Sequence, residues 1–122
     1  MRQRLLTVLA GSALLLSGVA LLGPSAGAKV ECTIKGTAAN DTLQGTTRDD
    51  VICGRAGQDQ LFGEEGNDYV LGGQGDDDLF GDDGNDTLKT RDHVAANDEA
   101  NGGPATDTCV IDAGDTANSC EQ

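Results

Sequence analysis

The stretch Gly36–Lys89 reads GTAANDTLQ, GTTRDDVIC, GRAGQDQLF, GEEGNDYVL, GGQGDDDLF, GDDGNDTLK, six consecutive units of nine residues in unbroken register. Position one is glycine in all six (Gly36, Gly45, Gly54, Gly63, Gly72, Gly81), and position four is glycine in the last four (Gly57, Gly66, Gly75, Gly84). Position six is always Asp and position eight always aliphatic (Leu43, Ile52, Leu61, Val70, Leu79, Leu88). Repetition at a short fixed period is the signature of a solenoid. Glycines at one and four supply backbone angles that other residues reach only with strain, so six residues make a tight loop. The last three, in the order polar, aliphatic, variable, make a very short strand whose middle residue faces inward. One aliphatic residue in nine cannot build a core alone. Two units per turn of a flattened coil let the aliphatics of two facing sheets share a thin one, giving an 18-residue period and about three turns over these residues.

That stacking sets Asp41, Asp59 and Asp77 in one column and Asp50, Asp68 and Asp86 in the other. Strands in neighbouring turns lie about 4.8 Å apart. Carboxylates about 5 Å apart repel by roughly 3 kcal/mol at an effective dielectric of 20, so each empty column opposes the fold. A divalent cation between successive loops reverses the sign. Hard oxygen donors, with no sulfur or imidazole in the loops, favour Ca2+, which tolerates irregular geometry; Mg2+ demands a compact octahedron. The six aspartates read as metal ligands, and the ions as part of the fold.

The units resemble the RTX, or hemolysin-type calcium-binding, nonapeptide family, whose repeat is G-G-x-G-x-D-x-U-x with U aliphatic. GGQGDDDLF matches it fully; GEEGNDYVL, GDDGNDTLK and GRAGQDQLF lack only the second glycine. The resemblance implies an all-β fold, a right-handed parallel β-roll of two sheets. It also implies Ca2+ held between loops one turn apart by backbone carbonyls and the position-six Asp. On that pattern Asp59 with Asp77 and Asp68 with Asp86 bound the two best sites, and Asp41 with Asp59 and Asp50 with Asp68 two weaker ones. The carbonyls of Gly54, Ala56, Gly63, Glu65, Gly72, Gln74, Gly81 and Asp83 are the co-ligands it implies, for about two to four ions. Ala39 and Arg48 stand where the loop wants glycine, so the first two units read as an N-terminal cap rather than full sites. The whole is similar to small secreted calcium-binding proteins of high-GC Gram-positive bacteria.

Outward from the repeats, residues 1–28 read as a signal peptide. Two arginines precede an apolar run, and Ala26-Gly27-Ala28 is a small-x-small cleavage site, implying secretion with no membrane span after processing. Residues 29–35 form a cap segment, 90–101 an irregular insert, and 102–122 a degenerate repeat and C-terminal cap. In that repeat, GGPATDTCV, Asp107 holds position six and Cys109 the aliphatic slot. Beyond residue 28 the chain carries 21 acidic and six basic side chains. So acidic and core-poor a chain excludes a nucleic-acid binder relying on a basic surface, and needs stabilisation beyond the hydrophobic effect.

Four cysteines (Cys32, Cys53, Cys109, Cys120) in a short secreted chain read as two disulfides with three possible connectivities. Cys32–Cys53 with Cys109–Cys120 is favoured, because a solenoid separates its ends and each local pair staples one of them. Strand positions seven and nine point outward, putting Tyr69 and Leu71 on one sheet and Phe62 and Phe80 on the other. These four are either a protein-contact or self-association face, or are covered by the termini. His93 has no matched nucleophile, and the repeat already accounts for the carboxylates, so no enzyme is expected. The expected function is calcium-ion binding that drives folding. The alternative is an extracellular structural or adhesive module stiffened by calcium.

Overall fold

The computed structural model describes residues 29–90 and 97–121. The expected signal peptide, residues 91–96 of the expected insert and Gln122 lie outside them. Ten short strands follow in order: β1 Ile34–Lys35, β2 Thr42–Gln44, β3 Val51–Ala56, β4 Gln60–Phe62, β5 Tyr69–Gln74, β6 Asp78–Phe80, β7 Thr87–Lys89, β8 Glu99–Asn101, β9 Thr108–Val110 and β10 Thr116–Asn118. Odd strands form one five-stranded sheet (β1-β3-β5-β7-β9) and even strands the other (β10-β8-β6-β4-β2). Every pairing is parallel. The chain from Glu31 is thus an all-β parallel solenoid, with one strand in each sheet per turn.

Register puts like on like. Leu43 pairs with Leu61 and Leu61 with Leu79; Ile52 pairs with Val70 and Val70 with Leu88. Ile52, Leu61, Val70, Leu79 and Leu88 are fully buried in one cluster. With one such residue per nine, burial is worth roughly 2 kcal/mol per side chain, thin support for a coil this long.

The coil makes about 4 turns instead of three. Segments on either side of the nonapeptides supply further rungs, with Ile34, Ala100, Cys109 and Ala117 in the inward slot. The expected irregular stretch 90–101 ends in β8, whose Ala100 lies beside Leu79 in place of a leucine. The spacing there is 21 residues instead of 18, because nine residues separate β7 from β8 where six separate β6 from β7.

Both favoured disulfides are present, Cys32–Cys53 and Cys109–Cys120, with Cα atoms 5.9 and 5.7 Å apart. Just beyond the first bond the N-terminal segment joins the sheet. Ile34 and Lys35 pair in register with Ile52 and Cys53, so the segment becomes the edge strand, where its backbone groups find partners.

Turns stack so closely that some loop positions admit no side chain. At Gly75 (φ +126°) and Gly84 (φ +145°) a Cβ would collide with the carbonyl oxygens of Gly57 and Gly66 one turn below. Gly84→Ala combines a left-handed backbone with that collision. It is expected to cost about 3 kcal/mol or more in urea unfolding at saturating calcium.

Candidate metal centre

Each position-six aspartate is placed by the turn between a glycine-led loop and a strand, and is bonded to the turn before it. The backbone N–H groups of Asp41, Asp50, Asp59 and Asp68 donate to Oδ1 of Asp59, Asp68, Asp77 and Asp86, at 2.7–2.9 Å. All six expected aspartates therefore fall in the two expected columns. The columns run further than the nonapeptides: Asp77 N–H donates to Asp98 Oδ1 (2.7 Å) and Asp86 N–H to Asp107 Oδ1 (2.8 Å).

The second carboxylate oxygen separates the loops into two kinds. In units one and two the loop bonds its own aspartate: Thr37 N–H and Oγ1 donate to Asp41 Oδ2 (2.6 and 2.8 Å), and Thr46 N–H and Oγ1 to Asp50 Oδ2 (2.8 and 2.7 Å). The Thr46 hydroxyl holds the Asp50 carboxyl below its ordinary range, against the opposing effect of burial. In the later units Oδ2 of Asp59, Asp68 and Asp86 is buried with no hydrogen-bond partner. Burial pushes Asp68 and Asp86 up to about 6, with neighbouring carboxylates adding to the rise.

Backbone conformation divides at the same boundary. From the third unit on, position two is left-handed (Arg55 +93°, Glu64 +78°, Gly73 +119°, Asp82 +65°), and so is position four (Gly57, Gly66, Gly75, Gly84). The first two loops have no positive φ at Thr37, Ala39, Thr46 or Arg48. Left-handed non-glycine residues cost about 1–3 kcal/mol each, so the later loops hold a strained shape and an uncompensated charge together. A hard cation bonded to Oδ2 and to loop carbonyls offsets both.

Among the described residues no three His, Cys, Asp or Glu side chains converge as metal ligands. A site here needs backbone oxygens besides one or two carboxylates, which Ca2+ accepts. Of the expected carbonyl donors, those of Gln74 and Asp83 accept the N–H groups of Gly57 and Gly66 (2.9 and 3.0 Å). Each keeps a second lone pair.

Sequence reasoning misses several members of this arrangement. A second ladder runs at position five in the opposite sense: Gln58 N–H donates to Asn40 Oδ1, Asn67 N–H to Asp49 Oδ1 and Asn85 N–H to Asn67 Oδ1. Its signal is the run Asn40, Asp49, Gln58, Asn67, Asp76, Asn85. Asp115 closes one column, accepting from Thr90 Oγ1 and Asp112 N–H at 2.9 Å. Its carboxyl is lowered because such bonds outweigh burial.

On the outer faces, Lys89 Nζ lies 5.2 Å over the Tyr69 ring, and Leu71 is half-buried. Phe62 and Phe80 stack at 5.0 Å with a 7° interplanar angle, half-buried in a groove of about 630 Å³ rimmed by Glu64, Glu65, Asp82 and Asp83.

A family model described as the RTX calcium-binding nonapeptide repeat (4 copies) matches residues 35–70 and again 54–88. No curated protein and no solved structure gives a significant match. No helix among the described residues is long and apolar enough to cross a membrane. With matched units, parallel two-sheet coil and stacked aspartates in agreement, the repeat segment of this chain belongs to the RTX calcium-binding nonapeptide repeat family, whose repeats indicate Ca2+ binding.

Proposed function

We propose that the protein is a secreted calcium-ion-binding protein in which the ions complete the solenoid, with no catalytic role. The observation that carries this reading is the buried, unpartnered Oδ2 of Asp59, Asp68 and Asp86, each at most 2% exposed. A carboxylate cannot be left so without a counter-charge. Asp59 with Asp77 and Asp68 with Asp86 bound the principal sites. Asp41 and Asp50 serve the cap, since threonine hydroxyls occupy the oxygens a metal would use. The two disulfides support an oxidising, extracellular location, where affinities on the order of 10⁻⁴–10⁻³ M per site suffice.

The test is far-UV circular dichroism and calorimetric titration of metal-stripped protein with Ca2+, with Mg2+ as control. A cooperative gain of β-structure with Ca2+ alone is expected. Full β-structure without ions and no binding heat with Ca2+ would overturn the proposal. The half-buried Phe62/Phe80 groove favours a second reading, a scaffold that presents a contact face. Binding of a hydrophobic dye by the calcium-loaded protein, lost in Phe62→Ser/Phe80→Ser, is the result that reading requires.

A further inference from the structure

We infer that the loop Gly102–Asp107, outside the matched repeats, holds a further Ca2+ together with the loop Gly81–Asp86, and that the Cys109–Cys120 disulfide keeps it in binding shape. This rests on the calcium-binding reading above and adds a site to it.

Three observations meet at this loop. Asp107 is fully buried, and its Oδ2 has no hydrogen-bond partner, like that of Asp86 one turn below. The backbone repeats the conformation of the matched loops, with Gly103 at +104° and Ala105 at +105° in positions two and four. The stacking also repeats theirs. Thr108 pairs with Thr87, Asp86 N–H reaches Asp107 Oδ1 at 2.8 Å, and Thr106 N–H reaches Asn85 Oδ1 at 3.1 Å. The matched pair below shows 2.8 and 3.1 Å for the same two bonds. Two loops of equal shape and equal offset, each ending in a buried carboxylate with an unclaimed oxygen, make the same oxygen-lined gap.

What differs is how the shape is held. Ala105 adopts a left-handed conformation that glycine adopts freely elsewhere in the coil. Pro104 has no N–H to donate, whereas its counterparts Glu65 and Asp83 donate to Thr46 and Glu64 carbonyls. The C-terminal segment supplies the missing restraint. Gly102 N–H donates to Asn118 O (3.0 Å), Glu121 N–H donates to Asp107 O (2.7 Å), and Cys120 is bonded to Cys109, which sits in the inward slot above Leu88. Both ends of the loop are thus tied to the segment Asn118–Glu121, which is itself tied to the core through Cys109.

The experiment counts bound ions by calorimetry with Ca2+ on the oxidised protein, with circular dichroism at saturating Ca2+ as the folding check. Asp107→Asn is expected to bind one ion fewer than the unaltered chain. Ala105→Gly is expected to keep the full count and to bind its weakest ion about fivefold more tightly, since the strain is removed. The double variant Cys109→Ser/Cys120→Ser is expected to lose one ion or to bind it at least tenfold more weakly. An unchanged count in Asp107→Asn overturns the inference and leaves the calcium reading standing. An unaltered chain that binds no Ca2+ overturns both. If Asp107→Asn does not fold, Ala105→Gly decides: an unchanged isotherm overturns the site.

Discussion

Protein stripped of divalent ions is expected to be less stable at pH 7.5 than at pH 4.5, the reverse of ordinary acid denaturation. Asp68 and Asp86 are raised to about 6 in the folded chain, first by burial and then by neighbouring carboxylates. Unfolded, they return to their ordinary value near 3.8. Between those two values the folded state binds more protons than the unfolded state, so stability falls as pH rises. The contribution is fully present below about pH 4 and is lost as pH passes through about 6. The acidity of the whole chain pushes the same way, because its 21 acidic side chains repel one another once ionised. Calcium inverts this dependence: protons and ions compete for the same oxygens, so the Ca2+ needed for folding rises as pH drops below about 6. Far-UV circular dichroism in metal-stripped buffer at pH 4.5, 6 and 7.5, which reads the ion-free folded fraction, and the Ca2+ midpoint for folding at each pH measure both slopes. Ion-free stability that instead falls steadily on acidification would show that the buried carboxylates are already compensated without metal.

Far more of the coil than of the cap chemistry is legible in the sequence, for a physical reason. Nine-residue periodicity fixes register because one slipped residue would turn every aliphatic outward. Six units therefore suffice to place strands β2 to β7 and both aspartate columns. The rungs beyond them keep the geometry and lose the letters. Asp98 stands in HVAANDEAN, where no glycine leads the unit and alanine fills the aliphatic slot, and the offset from Asp77 is 21 residues. Pattern matching at 18 passes over it. Asp107 keeps its glycines at 102 and 103 and is visible as a degenerate unit, yet Ala105 hides that its loop is left-handed at position four. The Thr37 and Thr46 hydroxyls are invisible for another reason. Threonine at position two reads as an ordinary loop residue, and only the paired bonds to one carboxylate oxygen show it standing where a metal would.

That division between loops gives the second large effect, a contrast between two aspartates in one column. Asp86→Ala is expected to raise the Ca2+ midpoint for folding at least tenfold, because it removes an oxygen bordering two stacked loop pairs. Asp50→Ala should act differently. Its Oδ2 accepts two hydrogen bonds from Thr46, so the substitution strands those donors and costs about 1–3 kcal/mol of stability without removing an ion. Divided over about three ions bound on folding, a 2 kcal/mol loss moves the Ca2+ midpoint only about threefold. Asp50 N–H still reaches Asp68 Oδ1 after the change, since that bond belongs to the backbone. Calorimetry then separates the two: at least one ion fewer for Asp86→Ala, an unchanged count for Asp50→Ala, with the cost of the latter appearing as a lower urea midpoint at saturating Ca2+. Replacing Thr46 by Val should reproduce part of the Asp50→Ala loss and none of the ion loss, because it removes the hydroxyl bond and keeps the N–H bond. Equal shifts and equal ion counts for Asp86→Ala and Asp50→Ala would mean that the threonine-closed loops also bind metal, and that bonded and unpartnered carboxylates do not mark two kinds of loop.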